Sequence, residues 1–261
     1  GSYHEVMSRR NALDSVWTSY IAKTVDRLPG FEPSQEPQLS VYGGWMNQKF
    51  EATGFFRTQK VNDRWWIIDP EGYPYIHKAV VAFRPGLSEN MKRSFDDLFE
   101  DNQHWAQSQT RLLRKYGFNG AGAWSAVDIL REMEQPPVYT LIVSPMASYR
   151  REHIQQFGGR YEQAGWQGYR YDLVMVFDPE FDEHIESTLK PIVKYKEDKF
   201  LLGYFTDNEL PWVNDALDRH LKFLGEDEHG HIAARKWLNE RKGFEAGLDD
   251  ITHEDRIAFS G

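Results

Sequence analysis

The chain has 261 residues and a formal net charge of −9 at neutral pH. Because no basic excess is available to neutralise phosphates, we expect neither a nucleic-acid partner nor an anionic membrane surface, and an uncharged polymer fits better. The absence of cysteine excludes disulfides and thiol catalysis, and the sequence has no apolar run long enough to span a membrane. Aromatic residues make up 15% of the chain, which suits either a bulky core or rings that stack on sugars.

The first predicted element is a helix over residues 3–28, where apolar residues recur at spacings of three and four. Pro29-Gly30 ends this pattern, and residues 29–48 are rich in Pro, Gly and Ser, as in a surface loop. We therefore expect residues 1–53 to form an N-terminal helix and linker that precede the main domain.

A β-hairpin is predicted next. Residues 54–61 and 64–69 have strand character, and Asn62-Asp63 between them is typical of a tight turn. A third strand over residues 73–83 would lead the chain from this hairpin into a buried sheet.

Strands and helices then alternate. The predicted strands cover residues 75–82, 118–124, 138–144 and 200–206. The predicted helices cover residues 103–116, 125–133, 178–195 and 229–242. Repeated βα units imply a parallel sheet, and right-handed crossovers leave a barrel or a doubly wound sheet as the architecture.

A long segment, residues 146–178, separates the third strand from its helix and is rich in aromatic residues, Trp166 among them. Loops of this length in a compact domain are usually functional or disordered, and this one is too aromatic for disorder. We expect it to wall a binding cleft; the alternative is ordinary packing.

The end of the chain carries one more start signal for a helix, in which Thr252 is followed by Asp255. Because this helix would begin just before Gly261, we expect the chain to be part of a longer domain. The outer strands of an incomplete sheet have unpaired backbone groups, so a second fragment or copy is an expected partner.

The fourth strand leads directly into Asp207, Asn208 and Glu209. A carboxylate just past an apolar parallel strand lies at the mouth of the sheet. Cleavage of a glycosidic bond needs a carboxylic acid beside the leaving oxygen and a second carboxylate as nucleophile or base. The alternative is that these residues cap the following helix.

Three segments in this order resemble the β-agarase-like glycoside hydrolases. They are GFFRTQKVNDRWWIIDPEGYPY at residues 54–75, KYGFNGAGAW at 115–124 and GYFTDNELPW at 203–212. The resemblance covers roughly residues 50–240. It implies an α/β fold, the N-terminal half of a (β/α)8 barrel, with residues 54–261 as the first portion of the catalytic domain.

The resemblance also implies site residues. Glu209 resembles the general acid/base, and Asn208 the neighbour that binds the sugar 2-hydroxyl. Trp124 occupies the position of a cleft aromatic, and Arg84 and His77 are weaker candidates, with a purely structural role as the alternative for His77. The remaining substrate-binding candidates are Tyr204, Trp212 and Trp166. The nucleophile of such enzymes follows strand seven, which this chain does not reach.

The implied activity is hydrolysis of β-galactosidic bonds in agarose or a related red-algal galactan, with retention of configuration. The alternatives are a non-catalytic carbohydrate-binding module and a related glycosidase acting on mannan or β-glucan. Because a large polysaccharide does not enter a cell intact, we expect secretion or surface location. We expect no cofactor and no metal, although His229 and His231 beside acidic residues present possible ligands.

Overall fold

The structure is a computed structural model that describes residues 4–9, 15–22, 37–156 and 168–260. The chain divides into two compact units, Gly1–Gln38 and Leu39–Gly261. Among the helices in the described ranges, none has the length and apolar character needed to cross a membrane.

The first unit contains strands rather than the predicted helix. Strand β1 (His4–Ser8) pairs antiparallel with strand β2 (Thr18–Ala22), and Val6 lies opposite Tyr20. The prediction of a helix is therefore wrong for these residues. β-Branched and aromatic side chains favour a strand when a cross-strand partner is present, and here that pairing outweighs the helical spacing. The other parts of the predicted helix, residues 3, 10–14 and 23–28, lie outside the described residues.

The second unit begins with a three-stranded antiparallel sheet, which confirms the hairpin. Its strands are β3 (Arg57–Val61), β4 (Arg64–Ile68) and β5 (Pro74–Tyr75). The turn between β3 and β4 has both Asn62 and Asp63 in the left-handed region, with φ of 48° and 62°. Asn and Asp tolerate this conformation best among residues with a side chain, so the turn forms where the sequence predicts it. Residues of the predicted linker are hydrogen-bonded to this sheet, as between Trp45 N and Pro74 O at 2.7 Å.

A four-stranded parallel sheet follows, with its strands in chain order. They are β6 (Ala79–Val80), β7 (Gly120–Ala121), β8 (Val138–Val143) and β9 (Leu201–Thr206). The parallel arrangement confirms the interpretation of the βα alternation. The single strand predicted over residues 73–83 is instead two short strands in two sheets, β5 and β6. The side chain of Asn119 binds the backbone between them, at Ile76 O and Lys78 N.

Eight α-helices occur in the described residues. They are α1 (Glu89–Leu98), α2 (Asn102–Lys115), α3 (Val127–Leu130), α4 (Pro145–Gln156), α5 (Glu180–Leu189), α6 (Ala216–Phe223), α7 (His229–Lys242) and α8 (His253–Ser260). The predictions for α2, α5 and α7 are confirmed, and α5 continues as a 3₁₀ turn over Lys190–Tyr195, where Pro191 lies. Helices α1, α4 and α6 were not predicted; α4 occupies the start of the supposed loop 146–178.

Two of the predicted helix termini are confirmed in detail. Gly243 ends α7 in the left-handed region with φ of 76°. At the start of α8, Asp255 Oδ2 accepts from Thr252 N at 2.8 Å, and Thr252 Oγ1 accepts from Asp255 N at 3.3 Å. The helix predicted over residues 125–133 is the shorter α3, and Ser125 does not cap it, because its hydroxyl accepts from Phe83 N and donates to Gly122 O.

The core of the second unit lies on the sheet. A helix-side cluster covers one face and consists of Trp105, Ala106, Ala121, Val127, Leu130, Tyr139 and Tyr195. An amino-edge cluster of Tyr42, Tyr75 and Val138, with Phe56 and Phe200 packed against it, lies where the strands begin. The antiparallel sheet therefore closes the amino edge of the parallel sheet and leaves the carboxyl edge open for a site.

Candidate active site

The carboxyl ends of the parallel strands meet at one edge of the sheet. Register aligns Val80 with Ala121 and Val143 with Thr206. The segments that follow these strands therefore emerge side by side. The segment after β9 carries Asn208 and Glu209, the one after β7 carries Trp124 and the one after β6 carries Arg84.

The segments after β6 and β7 are held together by hydrogen bonds. Ala82 N donates to Ala123 O at 2.8 Å, and Ala126 N donates to Phe83 O at 2.9 Å. Ser125 Oγ adds a third link, accepting from Phe83 N at 3.1 Å. These bonds fix the backbone on either side of Trp124.

Asp207 fastens the end of β9 to helix α4. Its backbone N donates to Val143 O at 2.7 Å. Its carboxylate accepts from Ala147 N at 3.0 Å through Oδ1 and from Met146 N at 3.2 Å through Oδ2. These amides are in the first turn of α4, where N–H groups lack intrahelical acceptors and the helix dipole favours a negative charge. Asp207 therefore caps the helix after the third strand, and the interpretation of these residues as a cap for the following helix is wrong, because α6 begins only at Ala216.

Strained backbone is concentrated at this edge. Four non-glycine residues that follow parallel strands have positive φ, namely Ala82 at 52°, Trp124 at 60°, Asp207 at 62° and Glu209 at 53°. Each such residue costs on the order of 1–3 kcal/mol and persists only where the surroundings impose it. Backbone strain of this kind is typical of functional sites.

Asn208 and Glu209 are both exposed at the carboxyl edge. The positive φ at positions 207 and 209 interrupts the alternation of side chains that β9 would continue. The direction of the Glu209 side chain is therefore set by the turn at residues 207–209. Asp207 anchors this turn at its first residue.

Two predicted cleft aromatics are exposed at or beyond this edge. Trp124 is 44% exposed and Trp212 is 72% exposed. Large apolar rings left open to solvent are the type of surface that stacks on sugar faces. The structure thus brings Trp124 to the same edge as Glu209.

The side chain of Tyr204 lies on the helix-side face of the parallel sheet. Register aligns it with Leu141, which packs on the helix-side cluster, so Tyr204 shares the helix-side face. Successive residues of a strand point to opposite faces, and Phe205 therefore takes the inner face next to Ile142. Phe205 is therefore the ring of β9 on the face opposite the helix-side cluster, and the role of Tyr204 in substrate binding stays a prediction.

His77 does not lie at the carboxyl edge of the sheet. His77 lies before the amino end of β6, and its Nδ1 is 2.7 Å from the Tyr75 hydroxyl. The Tyr75 hydroxyl also donates to Asn119 Oδ1 at 3.2 Å, so His77 belongs to a hydrogen-bond network at the amino edge of the parallel sheet. Arg84 is exposed beyond β6, and Trp166 lies outside the described residues.

The electrostatics of the site centre on tyrosines around the acidic turn. Burial raises the pKa of Tyr169, and the nearby Asp207 carboxylate raises it further. Burial also raises the pKa of Tyr204. Both hydroxyls therefore stay protonated at neutral pH. In the described ranges no group of three or more His, Asp or Glu side chains is placed to hold a metal ion.

The sequence is similar to that of one curated relative. No family model matches the chain. Beta-agarase B of Vibrio sp. (strain JT0107) is 26% identical over 242 residues, which cover 71% of this chain and 25% of the relative. The resemblance to β-agarase-like glycoside hydrolases that the three motifs predict is confirmed by this likeness.

Solved structures share the fold. The structure described as BpGH50 has a TM-score of 0.71 at 24% identity and covers 99% of this chain. An agarase, AgWH50C, has a TM-score of 0.58 at 17% identity over 85% of this chain, and an exo-beta-agarase has 0.56 at 17% over 78%. The chain spans 58% of the BpGH50 chain, 40% of AgWH50C and 39% of the exo-beta-agarase.

Proposed function

We propose that this chain carries half of the active site of a glycoside hydrolase that cleaves β-galactosidic bonds of agarose or a related galactan. The observation that supports this most is the acidic turn at residues 207–209. It follows the fourth parallel strand, is strained at both ends, and is fastened to α4 through Asp207. The agarase names of the similar proteins support agarose or a related galactan as the substrate class.

In this proposal Glu209 is the general acid/base of a retaining reaction. Its carboxylic acid protonates the glycosidic oxygen while a second carboxylate attacks the anomeric carbon. Glu209, now ionised, then takes a proton from the water that hydrolyses the glycosyl-enzyme bond. Asn208 donates to the sugar 2-hydroxyl, where hydrogen bonding strengthens in the transition state.

The second carboxylate comes from outside this chain. A retaining pair has its carboxyl groups about 5–5.5 Å apart. We propose that the four βα units are the N-terminal half of a (β/α)8 barrel, in residues 54–261, and that the other half supplies the nucleophile. The outer strands β6 and β9 and the exposed inner-face residues Val81 and Phe205 are where that half, as a further segment or second fragment, would pack.

Substrate binding is assigned to the exposed rings at the carboxyl edge. Trp124 follows β7, in the same sheet as β9, and Trp212 ends the motif that carries Glu209. Because agarose is a polymer too large to enter a cell, we propose that the enzyme acts outside the cytoplasm.

The proposal is tested by Glu209→Gln in the native polypeptide that carries this chain. The amide cannot donate the acid proton, so the rate of agarose cleavage should fall at least about a hundredfold. Glu245→Gln is the matched control, since Glu245 is an exposed carboxylate away from the sheet edge. Turnover of Glu209→Gln at the rate of that control would contradict the assignment.

A second candidate is carbohydrate binding without cleavage, which the exposed rings Trp124 and Trp212 also suit. Agarose retention by the native polypeptide with no release of reducing ends would favour it. A panel of agarose, mannan and β-glucan in the same assay identifies the substrate, because specificity resides in loops rather than in the barrel.

A further inference from the structure

A cavity of about 440 Å³ lies between α4, residues 170–178, α6 and the first turn of α7. Its size is within the range of small-molecule sites, about 300–1,000 Å³. Part of its wall is apolar and is formed by Leu173, Val174, Phe177 and Leu224. None of the residues of the 203–212 motif lines it, so it is separate from the site around Glu209.

One hydrogen-bond acceptor faces this cavity from a buried histidine. His220 is 3% exposed, and its Nδ1 lies 2.8 Å from Ala216 O, so Nδ1 carries the hydrogen and Nε2 is left with a lone pair. Burial lowers the pKa of His220, which keeps the ring neutral. Within the described part of the chain, Nε2 has no hydrogen-bond partner. It lies beside Gly230, where an added Cβ would be 3.3 Å away.

Donors lie next to this acceptor, at the start of α7. His229 and Gly230 line the cavity and belong to the first turn, where N–H groups have no intrahelical acceptor. The N-cap residue Glu228 does not cap them with its side chain. Its carboxylate accepts instead from Gly225 N at 2.6 Å and from Arg170 Nη1 at 2.6 Å.

The charges around the cavity disfavour an anion at this helix start. The carboxylates of Asp178, Asp227 and Glu228 line the cavity, against a single guanidinium, Arg170, which is already paired with Glu228. A hydroxyl group suits this position, because it can donate a hydrogen bond to His220 Nε2 and accept one from a backbone N–H in the first turn of α7. Phe177 is 38% exposed and offers a ring face for an apolar sugar surface.

We propose that this cavity is an accessory sugar site. One hydroxyl of a neutral sugar ring donates to His220 Nε2 and accepts from the first turn of α7, while an apolar face of the ring packs on Phe177. Gly230 is required at the wall because a Cβ there would lie 2.7 Å from Leu224 Cδ1 and 2.8 Å from His220 Cδ2. The inference rests on the proposed function only for the choice of galactose-containing probes.

The experiment is a titration of the isotope-labelled native polypeptide that carries this chain with D-galactose and with an agarose-derived disaccharide, followed by NMR. We expect saturable shifts of the His229 and Gly230 amides and of His220 Nε2. Phe177→Leu and Gly230→Ala should each weaken the disaccharide about tenfold. Phe244→Leu, an exposed phenylalanine outside the cavity, is the matched control and should bind as the unmodified chain does.

Three outcomes would overturn the accessory site. They are no saturable shift at these three positions, equal affinity in Phe177→Leu and Phe244→Leu, and a response of the same amides to sulfate but not to sugar. An amide spectrum of Gly230→Ala that is unchanged outside α6 and α7 checks that the fold is retained. Glu209→Gln should leave this binding unchanged, so a failure of the accessory site is distinguishable from a failure of the proposed catalytic role.

Discussion

The two edges of the parallel sheet differ in how their backbone and polar groups are satisfied. At the amino edge, Ile68 is fully buried, and Asn119 binds the backbone on both sides of His77. At the carboxyl edge, four residues hold positive φ and large rings face solvent. Buried, hydrogen-bonded residues that stabilise the fold are concentrated at the amino edge, whereas strained backbone and exposed polar and aromatic side chains are concentrated at the carboxyl edge. This is the arrangement expected for a site that is supported by a rigid base.

The largest effect on stability is expected at the closed amino edge. Ile68→Ala removes a fully buried side chain from β4 and should lower the free energy of unfolding by about 2–5 kcal/mol. Val81→Ala, on the exposed inner face, should change it by less than about 0.5 kcal/mol. Urea unfolding monitored by tryptophan fluorescence measures both. Equal losses in the two variants would contradict the division between the edges.

The next effect concerns the cap that Asp207 provides. Asp207→Ala leaves two first-turn amides of α4 without their acceptor and should cost about 1–2 kcal/mol. Asp63→Ala is a close control, because Asp63 is also an aspartate at φ of 62° but lies in the exposed hairpin turn. Hydrogen exchange at Met146 and Ala147 should accelerate in the first variant only. Unchanged exchange at both amides would rule out the cap.

A smaller effect of opposite sign is expected from relief of strain. Ala82 has φ of 52°, and glycine adopts that conformation without steric cost, so Ala82→Gly should raise the unfolding free energy by about 0.5–1 kcal/mol. Ala126 has an ordinary φ of −77°, and Ala126→Gly should lower stability by about 0.5–1 kcal/mol. Thermal unfolding of the two variants checks the signs. A loss in both would show that position 82 is not strained.

The smallest expected effect is the pH dependence that His77 contributes. Burial lowers the pKa of His77 below its ordinary value of 6.5. In the window below about pH 6.5 the unfolded chain therefore binds more protons than the folded chain, and stability falls as pH falls. His77→Gln should flatten this decline, whereas His253→Gln, at an exposed position, should leave it unaltered. Parallel slopes for His77→Gln and the unmodified chain between pH 7 and pH 5 would contradict the assignment.

Local signals in the sequence explain which elements were predictable. Helix α7 and the start of α8 carry their own caps at Gly243 and Thr252, and β8 and β9 are strands rich in apolar residues. Helix α4 was missed because its amphipathic pattern is weak and its cap, Asp207, is contributed by a residue far along the chain. Only Pro145 at its first position gave a local signal.

The candidate site was predictable in its position and less so in its geometry. Motif resemblance placed Glu209 and Asn208 after the fourth strand, and that strand is present. The face on which Tyr204 and Phe205 lie depends on register with β8, which has a shift between Tyr139 and Thr140. A one-residue change in register reverses the faces, so the sequence alone does not decide on which face each of the two rings lies.

The hydrogen bonds that Asp207 accepts determine how freely the sequence of α4 can vary among related proteins. Both of its partners on α4 are backbone amides, so the attachment is indifferent to the side chains that the helix carries. The helix and the segment that follows it are therefore able to diversify, and to reshape the surroundings of the acidic turn, without releasing Asp207. Proline at position 146 or 147 is the exception, since it has no N–H to donate.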